Sequence, residues 1–310
     1  LKPLRIGSRG SSLALWQANH ISARLARLHG VKSEIVRIRT SGDHFKGAAI
    51  SQIGMKGVFI KELEDALLAG TVDLAVHSMK DVPTETPRGL AFPAISKRED
   101  VRDCFISYGG VTLEKLPAGS RVGTSSLRRQ AQLLLHRPDL LPVELRGNVD
   151  TRLKKVAAGE CDAIILAKAG VDRLGMSEKI TEVLSTEIML PAVGQGALGI
   201  ETRESDRGTS TLVASLDDES ARSCVTAERA LLRELEGGCQ VPLGAWARLG
   251  AGGLLLEACV LSPDGKEHLR REQSGPAEDA EKIGKRLGQI LVEAGADRIL
   301  RLAGRGVGNG

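Results

Sequence analysis

The heptapeptide Glu236-Gly237-Gly238-Cys239-Gln240-Val241-Pro242 sets one thiol between a pair of glycines and a proline. The glycines end the apolar-periodic run from Ala221 to Leu235 in the way helix C-termini are ended. Val241 resumes an extended run and Pro242 forbids helix, so the sulfur sits on a tight turn. Such a turn presents a reactive group at the rim of a domain; the alternative, a buried and idle thiol, is the usual fate of free cysteine. A second group, His77-Ser78-Met79-Lys80-Asp81-Val82-Pro83, supplies a base, a hydroxyl, a cation and a carboxylate directly after the apolar strand Leu74-Ala75-Val76. In an open α/β sheet, residues just past the carboxyl end of a strand face the ligand crevice. Asp81 is the candidate for chemistry there, set against the alternative of capping the turn before Pro83. His77 and Asp81 have no third metal ligand nearby, and no G-x-S-x-G elbow supports a hydrolase triad.

A third set is cationic. Arg9, Arg128, Arg129, Arg146, Arg152 and Arg173 gather at strand-end turns. The planar guanidinium fork matches a carboxylate or phosphate in a way that the point charge of lysine does not. Ser11 and Ser12 after the first strand, and Thr124-Ser125-Ser126 after a later one, add hydroxyls and the free N–H groups of a helix start, a combination suited to an anion. For any one arginine, a solvated or salt-bridged surface role is the alternative.

The elements that must position these groups repeat one theme. Leu4 to Gly7 reads as a strand, followed by a turn and a helix running to Leu28. Ser33 to Arg39 alternates as a strand, and Thr40 to Gly57 then loses periodicity around Asp43, His44, Lys46 and Lys56, as a long lid-like loop does. A helix over Val58 to Leu68, the strand before His77 and a strand over Leu90 to Ile95 complete a first lobe. Lys97 to Asp103 is a charged crossing to a second lobe, where a strand ends at Gly123, a hydroxyl cluster follows and a helix runs to about Arg137. Val143-Glu144-Leu145 leads to Arg146-Gly147-Asn148-Val149, again a strand-to-helix junction, and Ala163 to Leu166 is a strand. Two anion-ready helix starts in separate lobes predict a cleft with both facing inward. Leu190 to Ile200 reads as a crossover strand back to the first lobe; its G-x-G-x-x-G spacing at Gly194, Gly196 and Gly199 has no helix start after it and is no dinucleotide fingerprint. From Asp217 a helix, strands at 245–249, 254–261 and 268–273, and a helix over 277–294 make a small α+β unit.

Composition narrows the class. A chain of 310 residues with 42% hydrophobic and 26% charged residues accommodates two or three ordinary globular domains. Aromatics at 2% argue against stacking platforms for single-stranded nucleic acid, and a net charge of +4 is too mild to coat a polyanion. The five cysteines form no C-x-x-C pair and no zinc-like spacing, which fits a reducing, cytoplasmic compartment. No export signal or membrane span is read from the sequence.

Taken together, the motifs resemble one family, hydroxymethylbilane synthase or porphobilinogen deaminase, over nearly the whole chain. The carriers are Arg9 to Gln17, Lys61-Glu62-Leu63-Glu64, His77 to Pro83, Gly123 to Gln130, Arg146 to Val149, Pro191 to Gly196 and Glu236 to Pro242. The resemblance implies a deaminating transferase that joins porphobilinogen head to tail into hydroxymethylbilane on a dipyrromethane cofactor, held through a thioether at Cys239. It implies Asp81 as the catalytic aspartate, steadying the azafulvene cation left when ammonia departs. It also implies a cofactor site of Lys80, Asp81, Thr124, Ser126, Arg128, Arg129, Arg146 and Gly147, and substrate binding by Arg9, Ser11, Arg146, Arg152, Arg173 and Gln195. The implied fold is α/β: two periplasmic-binding-protein-like (type II) lobes around a cleft plus a small C-terminal α+β domain. The boundaries are 1–96 with 197–216, 102–190, and 219–310. A cytoplasmic monomer without metal, membrane or nucleic-acid partners is the corresponding expectation. One departure is Met55 in Gly54-Met55-Lys56-Gly57, where members often carry paired glycines, which bears on the loop's flexibility. Two other classes compete: a two-lobed trap for a carboxylated solute, and a thiol-dependent transferase with Cys239 as a transient nucleophile.

Overall fold

A computed structural model describes residues 2–39, 60–235 and 241–305. The loop from Thr40 to Gly57, and Cys239 with its two glycines, lie outside the described residues. The elements run β1 (Leu4–Ser8), α1 (Ser12–His29), β2 (Ser33–Arg37), α2 (Lys61–Leu68), β3 (Leu74–Ser78), β4 (Leu90–Ile95), β5 (Asp103–Ser107), β6 (Arg121–Gly123), α3 (Leu127–His136), β7 (Leu141–Val143), α4 (Val149–Ala157), β8 (Ala163–Ala167), α5 (Lys168–Arg173) and β9 (Glu182–Val183). They continue with β10 (Leu198–Arg203), α6 (Arg207–Ala214), α7 (Glu219–Glu234), β11 (Leu243–Gly250), β12 (Gly253–Leu261), β13 (His268–Gly275), α8 (Ala280–Glu293) and α9 (Ala296–Arg305). Two compact units result, Leu1–Arg98 with Ala197–Arg222, and Glu99–Gly196 with Ser223–Gly310.

The first unit holds a sheet of order β2-β1-β3-β10-β4. β1 is parallel to β2 and β3, while β10 is antiparallel to β3 and β4. Parallel neighbours need a crossover, and α1 and α2 supply it. Side-chain alternation along β3 divides the cores. Leu74 and Val76 join Ile6, Ala18, Ile21 and Leu25 under α1, whereas Ala75 joins Leu63, Leu67 and Val72 under α2. The spacing Ala18, Ile21, Leu25 is the helical stripe that made α1 legible.

The second unit repeats this plan with order β7-β6-β8-β5-β9, β6 being parallel to β7 and β8 and β5 antiparallel to β8 and β9. Phe105, Val122, Ala163 and Ile165 pack on one face with Leu133 of α3; Cys104, Ile106, Ile164 and Leu166 pack on the other with Val156 of α4. In both sheets the antiparallel strand is the first one after a chain crossing. That shared topology is the two-lobed α/β architecture expected.

The third sheet, β11-β12-β13, is antiparallel throughout. Ala247, Leu256 and Ala258 pack with Ala227 and Leu231 of α7 and Ile283 and Leu287 of α8. The two helices approach so closely that a Cβ at Gly284 would overlap the Ala227 carbonyl oxygen. This sheet falls in one compact unit with the β5–β9 sheet because a further core, Ala131, Leu190, Cys259 and Leu261, is common to both.

Local pattern missed some elements. β5 was hidden because its apolar centre, Cys104 to Ile106, is short and follows Arg102-Asp103. The expected crossover strand over 190–200 is a strand only from Leu198; the segment before it is a buried turn in which Gly194 and Gly196 take φ 72° and 93°. Positive φ at both positions interrupts an extended run at a cost that glycine alone escapes.

Candidate functional site

Two parallel neighbours, β1 and β3, end side by side in the first unit and deliver different chemistry to one pocket. After β1 come Arg9 and Ser11; after β3 come Ser78 and, in a 3-10 turn over Met79–Asp81, Asp81; with Gln17 and His77 these line the pocket. Ser11 starts α1, its hydroxyl accepting from the Ala14 N–H at 3.3 Å. Buried Gln17 donates to the Ser78 hydroxyl at 2.9 Å and fixes the end of β3. The turn that carries Asp81 is held by backbone hydrogen bonds, Met79 N–H to the Ala197 carbonyl at 3.0 Å and Val82 N–H to the Met79 carbonyl at 3.3 Å. Asp81 is exposed and its carboxylate makes no hydrogen bond among the described residues, so capping is not its task. Lys80 is half-buried beside it.

His77 belongs to the floor. Its Nε2 lies 2.9 Å from Glu201 Oε2, its ring meets Phe92 edge-on, and both members of the pair are buried. Glu64 is nearby; burial, with the Glu201 charge adding, pushes its carboxyl up.

In the second unit, one residue passed over in the sequence organises three that were not. Asp103, the first residue of β5, is fully buried. Its Oδ2 accepts from Arg128 Nη1 at 2.7 Å, and its Oδ1 accepts from Arg129 Nη2 at 2.8 Å and Gln195 Nε2 at 2.9 Å. Arg128 Nη1 also reaches the Leu190 carbonyl at 2.6 Å, Arg129 Nη1 reaches the Ile165 carbonyl at 3.1 Å, and Gln195 Nε2 reaches the Val101 carbonyl at 2.7 Å. Arg128 and Arg129 are only 4% and 6% exposed, which makes them interior cations and not surface ones. Burial would push the Asp103 carboxyl up, but the charges and hydrogen bonds of the two arginines hold it well below the usual carboxylate range. The signal that identifies Asp103 is the pair Arg128-Arg129 on a buried helix face, since an interior cation requires a counter-charge.

The other expected residues of this unit make contacts of their own. Thr124 Oγ1 accepts from the Ser126 N–H at 3.2 Å, and Ser125 donates to the Leu145 carbonyl at 2.6 Å, which ties the α3 turn to the one that carries Arg146. Ser126 is the N-cap of α3 yet makes no side-chain capping bond. Arg146 is exposed and paired with Glu144 at 2.6 Å, the surface ion-pair alternative for that residue. Gly147 takes φ 123°, and its carbonyl accepts from Arg152 Nε at 2.8 Å. Arg173 is 9% exposed and donates to the Gly196 carbonyl at 2.7 Å. The structure therefore brings Arg9, Ser11 and Asp81 together in one unit, and Arg128, Arg129 and Gln195 together in the other, with Arg146, Gly147 and Arg152 grouped on the turn before α4.

The donor set fits a ligand rich in carboxylates. Arg128 Nε is buried and has no hydrogen-bond partner among the described residues, an uncompensated donor that an anion would satisfy. A thiol anchor is harder to find. The described cysteines, Cys104, Cys161, Cys224 and Cys259, are all buried, and burial pushes the thiols of Cys104 and Cys259 up to about 12. A thiol that stays protonated and enclosed is a poor nucleophile.

Comparison with known proteins gives one answer across the chain. The family described as "Porphobilinogen deaminase, dipyromethane cofactor binding domain" matches residues 4–211, and "Porphobilinogen deaminase, C-terminal domain" matches residues 222–293. The porphobilinogen deaminase of Trichlorobacter lovleyi is 50% identical over 300 residues, 96% of each chain. That of Desulforudis audaxviator is 52% identical over 299 residues, 95% of this chain and 96% of its own. Among solved structures, the methionine-binding protein MetQ aligns over 69% of this chain and 89% of its own, at 13% identity and a TM-score of 0.43.

Proposed function

Because the chain belongs to the porphobilinogen deaminase family, we propose that Asp81 is the catalytic group with which it joins porphobilinogen head to tail into hydroxymethylbilane, and that Cys239 anchors its dipyrromethane cofactor. The observation that carries the first part is the Asp81 carboxylate itself, exposed on a backbone-held turn and facing a pocket shared with Arg9 and Ser11. Loss of ammonia from the aminomethyl group leaves a cation conjugated with the pyrrole N–H. A fixed carboxylate that accepts from that N–H stabilises the developing charge more than it stabilises the neutral substrate. Since Asp81 makes no competing hydrogen bond among the described residues, it is available for that contact without reorganisation. Arg9, with the Ser11 hydroxyl on the same helix start, is placed to take the acetate or propionate of the incoming unit.

The residues assigned to the cofactor's site are Arg128 and Arg129, with Thr124, Ser126, Lys80, Asp81, Arg146 and Gly147 completing the set and Arg152, Arg173 and Gln195 assigned to the growing chain. When bound, dipyrromethane supplies a tethered pyrrole α-carbon to which the next unit adds. Cys239 is favoured as its anchor by the enclosure of the four described thiols, none of which is open to alkylation by a substrate-derived cation. Division into domains at 1–96 with 197–216, 102–190 and 219–310 is supported by the presence of three sheets. A cytoplasmic monomer completes the reading; among the described residues no helix is long and apolar enough to cross a membrane.

Intact mass and pyrrole colour chemistry test the proposal together. Protein from tetrapyrrole-making cells is expected to carry a covalent adduct that gives an Ehrlich-type colour, absent in Cys239→Ala. Asp81→Asn is expected to keep the adduct while turnover falls by about 10²–10³-fold, the loss typical of one charge-stabilising group. An unmodified native chain would instead favour a solute trap, and near-normal turnover in Asp81→Asn would remove it from the reaction.

A further inference from the structure

Arg128 and Arg129 are neighbours in sequence and equally buried, yet their hydrogen bonds leave them differently equipped. Arg129 presents Nε and Nη2 to Asp103 Oδ1, at 3.3 and 2.8 Å, and Nη1 to the Ile165 carbonyl at 3.1 Å. Its side-on edge, the one that grips a carboxylate in bidentate fashion, is therefore already closed on an internal carboxylate. Arg128 uses only Nη1 among the described residues, shared between Asp103 Oδ2 at 2.7 Å and the Leu190 carbonyl at 2.6 Å. Its Nε is buried with no hydrogen-bond partner among the described residues, so no internal group closes its side-on edge. Gln195 Nε2 adds a third donor to Asp103 Oδ1 at 2.9 Å, and locks the carboxylate from the side of the crossing segment.

We propose that Asp103 is a positioning residue that divides labour between the two arginines: Arg128 contacts a ligand carboxylate directly, through the edge that no internal group claims, while Arg129, Asp103 and Gln195 form the bracket that aims it. The inference rests on the reading of this cluster as part of the cofactor's carboxylate site. It makes a prediction whose sign separates aim from charge. Asp103→Asn keeps the shape of the side chain and removes one negative charge, which makes the cluster more positive by one. If the arginines attract carboxylates by charge alone, cofactor loading rises or holds. If Asp103 sets the aim of Arg128, loading falls although the cluster has become more cationic.

The enzyme is tested as expressed, with intact mass reading the fraction that carries cofactor and the thermal midpoint reading the fold. Asp103→Asn is expected to load at least about tenfold less than the parent, and Arg128→Lys about ten- to hundredfold less, since hydrogen bonds to charged groups are among the stronger ones. Arg129→Lys is expected to lower the midpoint by several degrees, because its three donors close within the fold, while its loading falls less than that of Arg128→Lys. Should Asp103→Asn fail to fold, the two lysine variants decide. Loading lost in Arg129→Lys at parental stability, with Arg128→Lys loading normally, overturns the assignment. A loss in Arg128→Lys combined with a gain in Asp103→Asn overturns the positioning role alone, and unchanged loading in all three variants sinks the underlying reading of the site.

Discussion

Asp103 is an ionised carboxylate inside a protein, and the response of the chain to acid depends on the cations that hold it. Burial works against ionisation, but Arg128 and Arg129 outweigh it and set the folded-state pKa below the value of an unfolded chain, ordinarily about 3.9. The linkage therefore runs in one direction. The contribution of Asp103 to stability is complete above about pH 4 and is lost as pH falls toward the folded-state value, because the unfolded chain takes up the proton first. Urea unfolding at pH 5 and pH 3 checks this: the parent is expected to lose more stability between the two than Asp103→Asn does, and equal losses would show that the carboxylate titrates normally. The cysteines give a second residue-scale expectation. With thiols pushed up to about 12, Cys104 and Cys259 are expected to resist a thiol reagent at pH 8 until the chain unfolds, as read by peptide mapping. Labelling of either in the native state would contradict their burial. Of the expected site, Asp81, Arg9 and Ser11 were legible from type and spacing, since each stands directly after a short apolar strand. Asp103 was not, because its partners are 25 and 26 residues away and only tertiary contact joins them.

At the scale of elements, the two hydroxyl-bearing helix starts look alike in sequence and differ in use. Ser11 caps α1 through its side chain, whereas Ser126 begins α3 without a side-chain capping bond. Ser11→Ala is accordingly expected to cost about 1 kcal/mol of stability in denaturant unfolding, and Ser126→Ala distinctly less. If Ser126 faces the cofactor's carboxylates as proposed, its alanine variant loses loading by intact mass while its unfolding curve stays near the parental one. A strand followed by glycine or serine and an apolar period announces where a helix begins. Whether the hydroxyl then turns inward to the helix or outward to a ligand depends on χ1 and on competing acceptors, neither of which periodicity encodes. The segment before β10 shows the same limit: an apolar, glycine-bearing run fits an extended strand as readily as the buried turn that Gly194 and Gly196 form at positive φ.

For the whole molecule, the decisive feature is that the first five-stranded sheet takes its fourth strand from beyond a chain crossing, whereas the second is built from one continuous stretch. β10, which pairs with both β3 and β4, lies more than a hundred residues beyond them in sequence and sits between them in the first sheet. A fragment of residues 1–98 would leave β3 and β4 without their common neighbour and expose Val76 and Ala94 of the core that Ile200 completes. Residues 1–98 alone are therefore expected to lack a cooperative thermal transition, and a chain joining 1–98 directly to 197–222 is expected to regain one, as followed by circular dichroism. A cooperative transition in the short fragment would show that β10 is dispensable. By itself the amino-acid sequence determined the α/β class, the strand-turn-helix repeats, the family and the residues most exposed to chemistry, because these depend on local periodicity and on motifs a few residues long. Tertiary structure alone decided which strand completes each sheet, that the third sheet shares a core with the second, and that one buried aspartate engages two neighbouring arginines through different atoms, because burial and ion pairing join groups that are far apart along the chain.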